Sequence, residues 1–310
     1  MAAPTNTFVS TSAVGNREDL TDFITRITPS ETPFLSLCAK AKATGTLHEW
    51  QTQELAAAAS NAQAEGDDAT AKSVTATVRL ASRTQIATKN VTVSGTQQAV
   101  KSAGRADEMG YQLSMSSVEL KRDMEYDLTN SRVGTSSPRK VKGLPCWIGD
   151  NVDTVSGYVA PVYTTTDGTT NTDGTTPTAF TETKLKNVLQ KVYTAGGNPD
   201  IVMMAPAQKQ TFSTFSGNST RYDKGEDSKL FAAIDVYVSD FGELKAIPNR
   251  IQRTRDVFVL QSDRWAIAYL RPFQTVDLAP TGDAIKKQLV VEFAIEARAP
   301  KHNGGVYDNS

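Results

Sequence analysis

Any chemistry in this 310-residue chain would have to run through two histidines, two cysteines and 34 acidic side chains. His48 and His302 each sit in polar surroundings with no second ligand at metal spacing, so no zinc site is expected. Cys38 and Cys146 lie far apart, and neither has another thiol nearby. They read as free, buried thiols of a reducing compartment rather than as a disulfide framework. Asp67-Asp68 stands in an Ala/Gly/Asn-rich tip where solvation accounts for it, and no carboxylate falls in an apolar setting that would lift its pKa toward acid-base work. The glycines and lysines of Gly134 to Gly143 lack the Walker order. There is also no GxSxG elbow and no GxGxxG after a strand. The residues give no positive sign of an enzyme, and they imply no cofactor.

Charge and composition narrow the remaining classes. Lys and Arg number 33, which leaves a net charge of −1. A protein built to neutralise a nucleic-acid backbone needs a clustered basic excess instead. Aromatic residues make up 7% and do not interleave with basic ones, so a stacking platform for single strands is not expected. The hydrophobic content of 39% is at the low end for a compact globule, as for a chain with water-facing parts that find partners in other copies. The opening MAAPTNTFVSTSAVGN lacks the pattern of a signal peptide, and no apolar run approaches the ~20 residues that span a bilayer. A soluble protein made in the cytosol is expected.

The element that must organise the rest is Gln97 to Asn130. Val100, Ala103, Ala106, Gly110, Leu113, Ser117, Leu120, Met124 and Leu128 recur at helical spacing, with Lys101, Arg105, Glu108, Lys121, Arg122 and Glu125 turned outward. One helix of that length would run ~50 Å. Before it, residues 1–46 form an arm: Arg17 to Ile27 offers a short amphipathic turn, two prolines follow, and Phe34, Leu35 and Leu37 make an apolar patch that must dock. The arm is either a disordered terminus or a strap over a neighbouring surface. Residues 47–94 read as a two-stranded ribbon with Trp50 in its first strand and a mobile tip. Val74, Val78, Leu80 and Ile86 share one face of the return strand, which needs a bulge near Ala87 to Asn90 where the apolar parity switches.

After the helix, Arg132, Arg139, Lys140 and Lys142 make a basic turn, read as a solvated or subunit-facing surface, and residues 151–179 a Thr/Gly-rich surface loop with hairpin-type DG pairs. Residues 180–272 have α/β grammar. Thr181 caps a helix carrying Leu185, Val188, Leu189, Val192 and Tyr193, Gly196-Gly197 ends it, and IVMMA is a buried strand. Pro206 opens a second helix, and later strands include a tight turn at Ser262-Asp263. Leu289, Val291, Phe293, Ile295 and Ala297 form a last strand with Glu292, Glu296 and Arg298 on its other face. That strand should pair with the long helix in one domain, into which the 180–272 block is inserted.

The order of parts resembles the major capsid protein of tailed bacteriophages, with the α+β Hong Kong 97-type fold. Local wording resembles a phage major head protein family: ETPFLSL, NAQAEGDDA, TQIATKNVTVSGTQQAVKSAGRADEMGYQL, ELKRDMEYDL, TETKLKNVLQKVYTAGGNPDIVMMAPAQKQTFSTF and APKHNGGVYD. The resemblance implies an N-arm (1–46), an E-loop (47–94), and a P-domain (95–150 and 273–310) with a spine helix over 97–130. It also implies an A-domain (180–272), with 151–179 as an added surface loop. The function it implies is self-assembly as pentamers and hexamers into an icosahedral shell around a double-stranded DNA phage genome. Partners would be a scaffolding protein, a portal and a possible decoration protein, with packaged DNA inside, no sequence-specific binding and no membrane. The place would be the virion capsid, assembled in the host bacterial cytoplasm. Because the arm begins almost directly, a separate scaffolding protein is expected rather than a cleaved one. Some members carry a Lys–Asn isopeptide crosslink; Lys89 and Asn309 are conceivable partners, but nothing in the sequence marks them. Subunit contacts are expected at Phe34, Leu35, Trp50, Arg79, Arg83, Arg105, Arg139 and Lys140. An encapsulin shell with enzyme cargo, or a soluble binding or adhesion protein, are the alternative readings.

Overall fold

The computed structural model describes Ile24 and residues 26–68, 74–100, 102, 104–215 and 236–310. Most of the expected Arg17 to Ile27 turn therefore lies outside the described residues. The chain begins with α1 (Pro33–Leu37), β1 (Ala39–Lys42), β2 (Leu47–Thr52), β3 (Val78–Arg83), β4 (Gln85–Ser94) and α2 (Gly95–Ala99). It continues with α3 (Glu108–Asn130), β5 (Thr135–Ser136), β6 (Arg139–Lys140), α4 (Leu144–Trp147) and β7 (Asn151–Asp153). Next come α5 (Glu182–Thr194), β8 (Ile201–Met204), α6 (Pro206–Phe212), β9 (Val236–Ser239), β10 (Gly242–Pro248) and β11 (Val257–Leu260). The last elements are β12 (Trp265–Asp277), β13 (Ala284–Ala297) and β14 (Gly304–Val306).

Two sheets carry the α+β architecture. A four-stranded sheet has the order β1-β12-β13-β4, with β1 parallel to β12 and the other pairs antiparallel. A six-stranded sheet has the order β7-β14-β11-β8-β10-β9. On the first lies α3, whose Leu120, Met124 and Leu128 pack with Phe34, Trp265, Ile267, Val291, Phe293 and Ile295. On the second lies α5, whose Leu185, Val188, Leu189 and Val192 bury against Val202, Val259 and Val306. Thr181 caps α5 by accepting from the Lys184 amide, and Gly196 leaves it at φ +88°, a left-handed turn open to glycine.

The spine helix is shorter than the apolar spacing suggests. It starts at Glu108 rather than Gln97 and has 23 residues, about 35 Å. Asp107 ends the upstream pattern because its carboxylate accepts from the Met109 and Gly110 amides, which makes a new N-cap. Gly104 turns the chain at φ +74°, and Val100 is exposed. Glu108 and Glu125, expected to face outward, are buried, whereas Leu113 is half-buried.

Further expectations change. The parity switch falls at Thr84, not near Ala87 to Asn90, because β3 pairs with β2 whereas β4 pairs with β13 over its whole length. The two-stranded ribbon expected over 47–94 thus ends at Arg83. Only Leu80 of the four apolar residues assigned to the return strand's shared face is buried; Val74, Val78 and Ile86 are exposed. Residues 262–264 form a single 3-10 turn, held by Ser262 donating to Asp200. This turn carries the chain from one sheet to the other instead of closing a hairpin. By pairing, residues 265–272 therefore belong with the last strand, while β7 and β14 join the block expected to span 180–272. Tyr193 is exposed and stacks on Phe241 with ring centroids 4.8 Å apart.

Candidate assembly surfaces

The N-terminal segment is docked at α1. Phe34 is fully buried, edge-on to Trp265 at 5.8 Å, and Leu35 packs at the margin of the same core. Thr32 supplies no side-chain cap to α1, and the Glu125 carboxylate takes that role from α3. Its two oxygens accept from Phe34 N at 2.9 Å and Leu35 N at 2.8 Å. Burial pushes the Glu125 carboxyl above its ordinary value, against the bonds from Leu35, Phe34 and Asn249. Before this anchor, Ile27 is exposed and Glu31 reaches Arg250 at 3.8 Å.

The ribbon is rooted on its own subunit and free beyond. Trp50 Nε1 donates to the Ala297 carbonyl at 3.0 Å, and its ring lies 5.4 Å from that of Trp147. His48 Nε2 is 3.0 Å from Glu296 Oε2; this bond and Arg298 hold the Glu296 carboxyl below its ordinary value. From Gln53 to Asp68 the backbone has no helix or strand and every residue is exposed, Glu54 still reaching Lys301 at 2.6 Å. Residues 69–73 of the expected tip lie outside the described residues.

The basic residues expected at subunit contacts divide into spent and available. Arg83 is paired with Asp167, and Arg139 Nη2 bonds Glu292 at 2.7 Å. Arg105 pairs with Glu108 and lies over the Tyr111 ring at 5.3 Å. Lys140 is 3.9 Å from Asp127 and is half-buried, and Arg79, 3.3 Å from Glu49, is exposed on the ribbon. Arg79, Lys140 and the outer side of Leu35 therefore retain surface for a neighbour. Phe34, which is fully buried, does not.

Besides Glu125, sequence reasoning missed three further charged centres, buried or half-buried, each tying distant segments. Glu292 is one, joining Thr84, Arg139 and Arg271. Asp173 is the second. It pairs with Arg132 at 2.6 Å and Arg253 at 2.9 Å, while Asp308 pairs with Arg255 at 2.6 Å. Beside them burial, helped by the Asp173 and Asp308 charges, lifts Asp256 to about 7 against the opposing charges of Arg132 and Arg255. The third is Lys142, which donates to the carbonyls of Tyr163 and Thr165 at 3.0 Å and lies 4.1 Å over Trp147. Burial lowers its pKa to about 8. The Thr/Gly-rich loop lies at the surface as expected but is pinned from beneath, with Asn171 buried. No local pattern marks these centres, because each carboxylate meets its cations only across the fold. Asn309 is buried, donating to the carbonyls of Arg255 and Val306, and Lys89 is 2.8 Å from Asp123. Asn309 is thereby closed to a neighbour's lysine.

A groove of about 440 Å³ runs between β4 and α3, lined by Thr92, Gln97, Gln112, Ser116 and Glu119 among others. None of its lining residues is a histidine, cysteine or lysine. Among the described residues no cluster of His, Cys, Asp or Glu is arranged to hold a metal, and no helix is long and apolar enough to cross a membrane. Both cysteines are free and buried.

Comparison with known proteins agrees with the shape. The family model described as SU10 major capsid protein matches residues 3–310. The major capsid protein of Escherichia phage Phieco32 is 28% identical over 99% of this chain and 98% of its own length. Among solved structures, the capsid of a native GTA particle superposes with a TM-score of 0.69 at 8% identity, covering 97% of this chain and 98% of that one. The capsid of cyanophage A-1(L) gives 0.66 at 13%, covering 95% and 97%. The SrpI encapsulin of Synechococcus elongatus PCC 7942 gives 0.58 at 12%, covering 95% and 92%. At such identities the structural likeness speaks for the fold alone.

Proposed function

Because the chain belongs to the SU10 major capsid protein family, we propose that it closes its shell from pentamers and hexamers tied together by the N-terminal arm and the β2–β3 ribbon. It is a tailed-phage major capsid protein of Hong Kong 97-type fold, a structural component of the virion. The observation that carries the tie is the contrast at the ribbon. Its root is fastened by Trp50 to Ala297 and by Glu54 to Lys301 at 2.6 Å, while Leu55 to Asp68 is exposed along its whole length. Isolated ribbons are marginal in water, so this one gains order by lying on a neighbour.

In the terms of that fold, residues 1–46 act as the N-arm and β2 to β3 with their tip as the E-loop. The sheet of β1, β12, β13 and β4 with α3 acts as the P-domain, and the six-stranded sheet with α5 and α6 as the A-domain. Arg79, Lys140 and Leu35 are the contact residues we retain. A scaffolding protein, a portal and a possible decoration protein complete the particle in the host bacterial cytoplasm. Repeated heterologous contacts give a closed shell when their angles close. The net charge of −1 suits a wall that holds double-stranded DNA without adsorbing it.

The test is negative-stain microscopy with light scattering on the purified chain, with and without co-expressed scaffold candidates. Rings of five or six, or shells tens of nanometres across, are expected; a monodisperse monomer under every condition refutes the reading. Removing residues 55–68 should leave a folded subunit that assembles badly, and normal shells from that deletion would refute the ribbon as a tie. Shells that form around an enzyme cargo instead of DNA would favour the encapsulin alternative.

A further inference from the structure

Glu125 is 0% exposed, and two separate stretches of chain converge on its carboxylate. Oε2 accepts from Leu35 N at 2.8 Å. Oε1 is shared by Phe34 N at 2.9 Å and Asn249 Nδ2 at 2.7 Å. Asn249 is itself fully buried and built into the turn after β10: its amide donates to the Met204 carbonyl at 2.8 Å, and its Oδ1 accepts from Ile251 N at 2.9 Å. The end of α3 holds the same turn, with Asn130 Nδ2 donating to the Ile251 carbonyl at 3.1 Å. One carboxylate therefore joins the arm, the spine helix and the turn that leaves β10 of the six-stranded sheet.

We propose that Glu125 couples the seating of the N-terminal arm to the seating of the Asn249 turn, so that loosening either one loosens the other. The reason is the shared oxygen. A buried carboxylate persists as an ion only while donors compensate it. Without the Asn249 amide, Oε1 is under-compensated, and a proton taken there would face the Phe34 N–H donor to donor. The arm helix has no reserve, since Thr32 makes no cap bond and a five-residue helix cannot serve its own first amides. Negative charge is also what the start of a helix favours. The charged and titratable neighbours are few: the Cys38 thiol faces Glu125 from the arm, and burial and the Glu125 charge push it well above its ordinary value. On the surface Arg250 reaches Glu31 at 3.8 Å, but both side chains are mostly exposed, and such pairs contribute little. The coupling lies within the subunit and holds whatever shell the subunit enters.

The experiment is residue-resolved amide exchange on the intact, unassembled chain. Asn249→Ala should speed exchange at Phe34 and Leu35 at least about fivefold while leaving Val291 to Ile295 in β13 unchanged. Glu125→Gln should do the same, and the double variant should add nothing further, as for residues acting through one group. Arg250→Ala should leave Phe34 and Leu35 protected. Adding Thr32→Asn, a local cap, to Asn249→Ala should restore protection. That pair carries the test if Glu125→Gln does not fold. Unchanged exchange in Asn249→Ala, additive effects in the double variant, an equal effect of Arg250→Ala, or no rescue by Thr32→Asn would each overturn the coupling.

Discussion

Replacing Glu292 tests whether the buried charged centres stabilise the subunit. Its side chain, 3% exposed as a residue, accepts from Thr84 Oγ1 at 2.8 Å, Arg139 Nη2 at 2.7 Å and Arg271 Nε at 2.8 Å. A hydrogen bond to a charged group contributes about 1.5–3 kcal/mol where it is buried. Arg139 is 24% exposed and stands near the middle of that range, whereas Arg271 at 44% belongs with surface pairs of about 0–1 kcal/mol. With the neutral Thr84 hydroxyl at about 1 kcal/mol, Glu292→Ala should cost about 3 to 4 kcal/mol. Glu292→Gln, which keeps the volume and one acceptor, should cost about 2 kcal/mol.

The assay is urea unfolding of the unassembled chain by tryptophan fluorescence, where the midpoint should fall with an unchanged slope. Acid supplies a second check. Burial alone would raise the Glu292 carboxyl, but the bonds from Thr84 and Arg271 and the charges of Arg139 and Arg271 take it below its ordinary value. The stabilisation is then present above the ordinary carboxylate pKa and is lost as pH falls through the lowered one. The gap between wild type and Glu292→Gln should be widest near neutrality and close in acid. A loss under about 0.5 kcal/mol, the size of an ordinary surface substitution, or a gap that does not narrow in acid, would refute the reasoning.

Leu120 is 1% exposed and Leu113 only half-buried, so Leu120→Asp should abolish soluble expression while Leu113→Asp should give soluble, destabilised chain; equal soluble yields would contradict the graded burial of α3. Asp256, lifted to about 7 by burial, holds its proton in the folded chain at pH values where an unfolded aspartate has lost it. Its contribution is therefore full below the ordinary Asp range and is lost as pH rises through about 7, a change on the order of a few kcal/mol. Asp256→Asn should flatten the fall in melting temperature between pH 6 and pH 8, and a profile parallel to wild type would refute the assignment.

Period and punctuation were legible without any coordinates. Thr181, the Leu185 to Val192 stripe and Gly196 marked α5 because a cap, a face and a left-handed stop are local events. The Ile201 to Met204 run and the Leu289 to Ala297 stretch marked strands because short apolar runs suit a buried strand, although burial along both is nearly continuous rather than alternating. The order of these parts, with wording spread over most of the chain, sufficed for the capsid resemblance. Asp107 was also readable as an N-cap, but the small-residue stripe running through it concealed the break. What only the tertiary structure decided was pairing and the fate of charge. Nothing near Thr84 or Ser262 states which sheet the next strand will join, because that choice is made by partners some two hundred residues away at β13, or by β1. Likewise Glu125, Glu292 and Asp256 look like ordinary surface carboxylates in their own segments. They can be buried only because Phe34, Asn249, Arg139 and Arg271 arrive from elsewhere with the donors that make an interior charge tolerable, or because, at Asp256, burial itself holds the proton on.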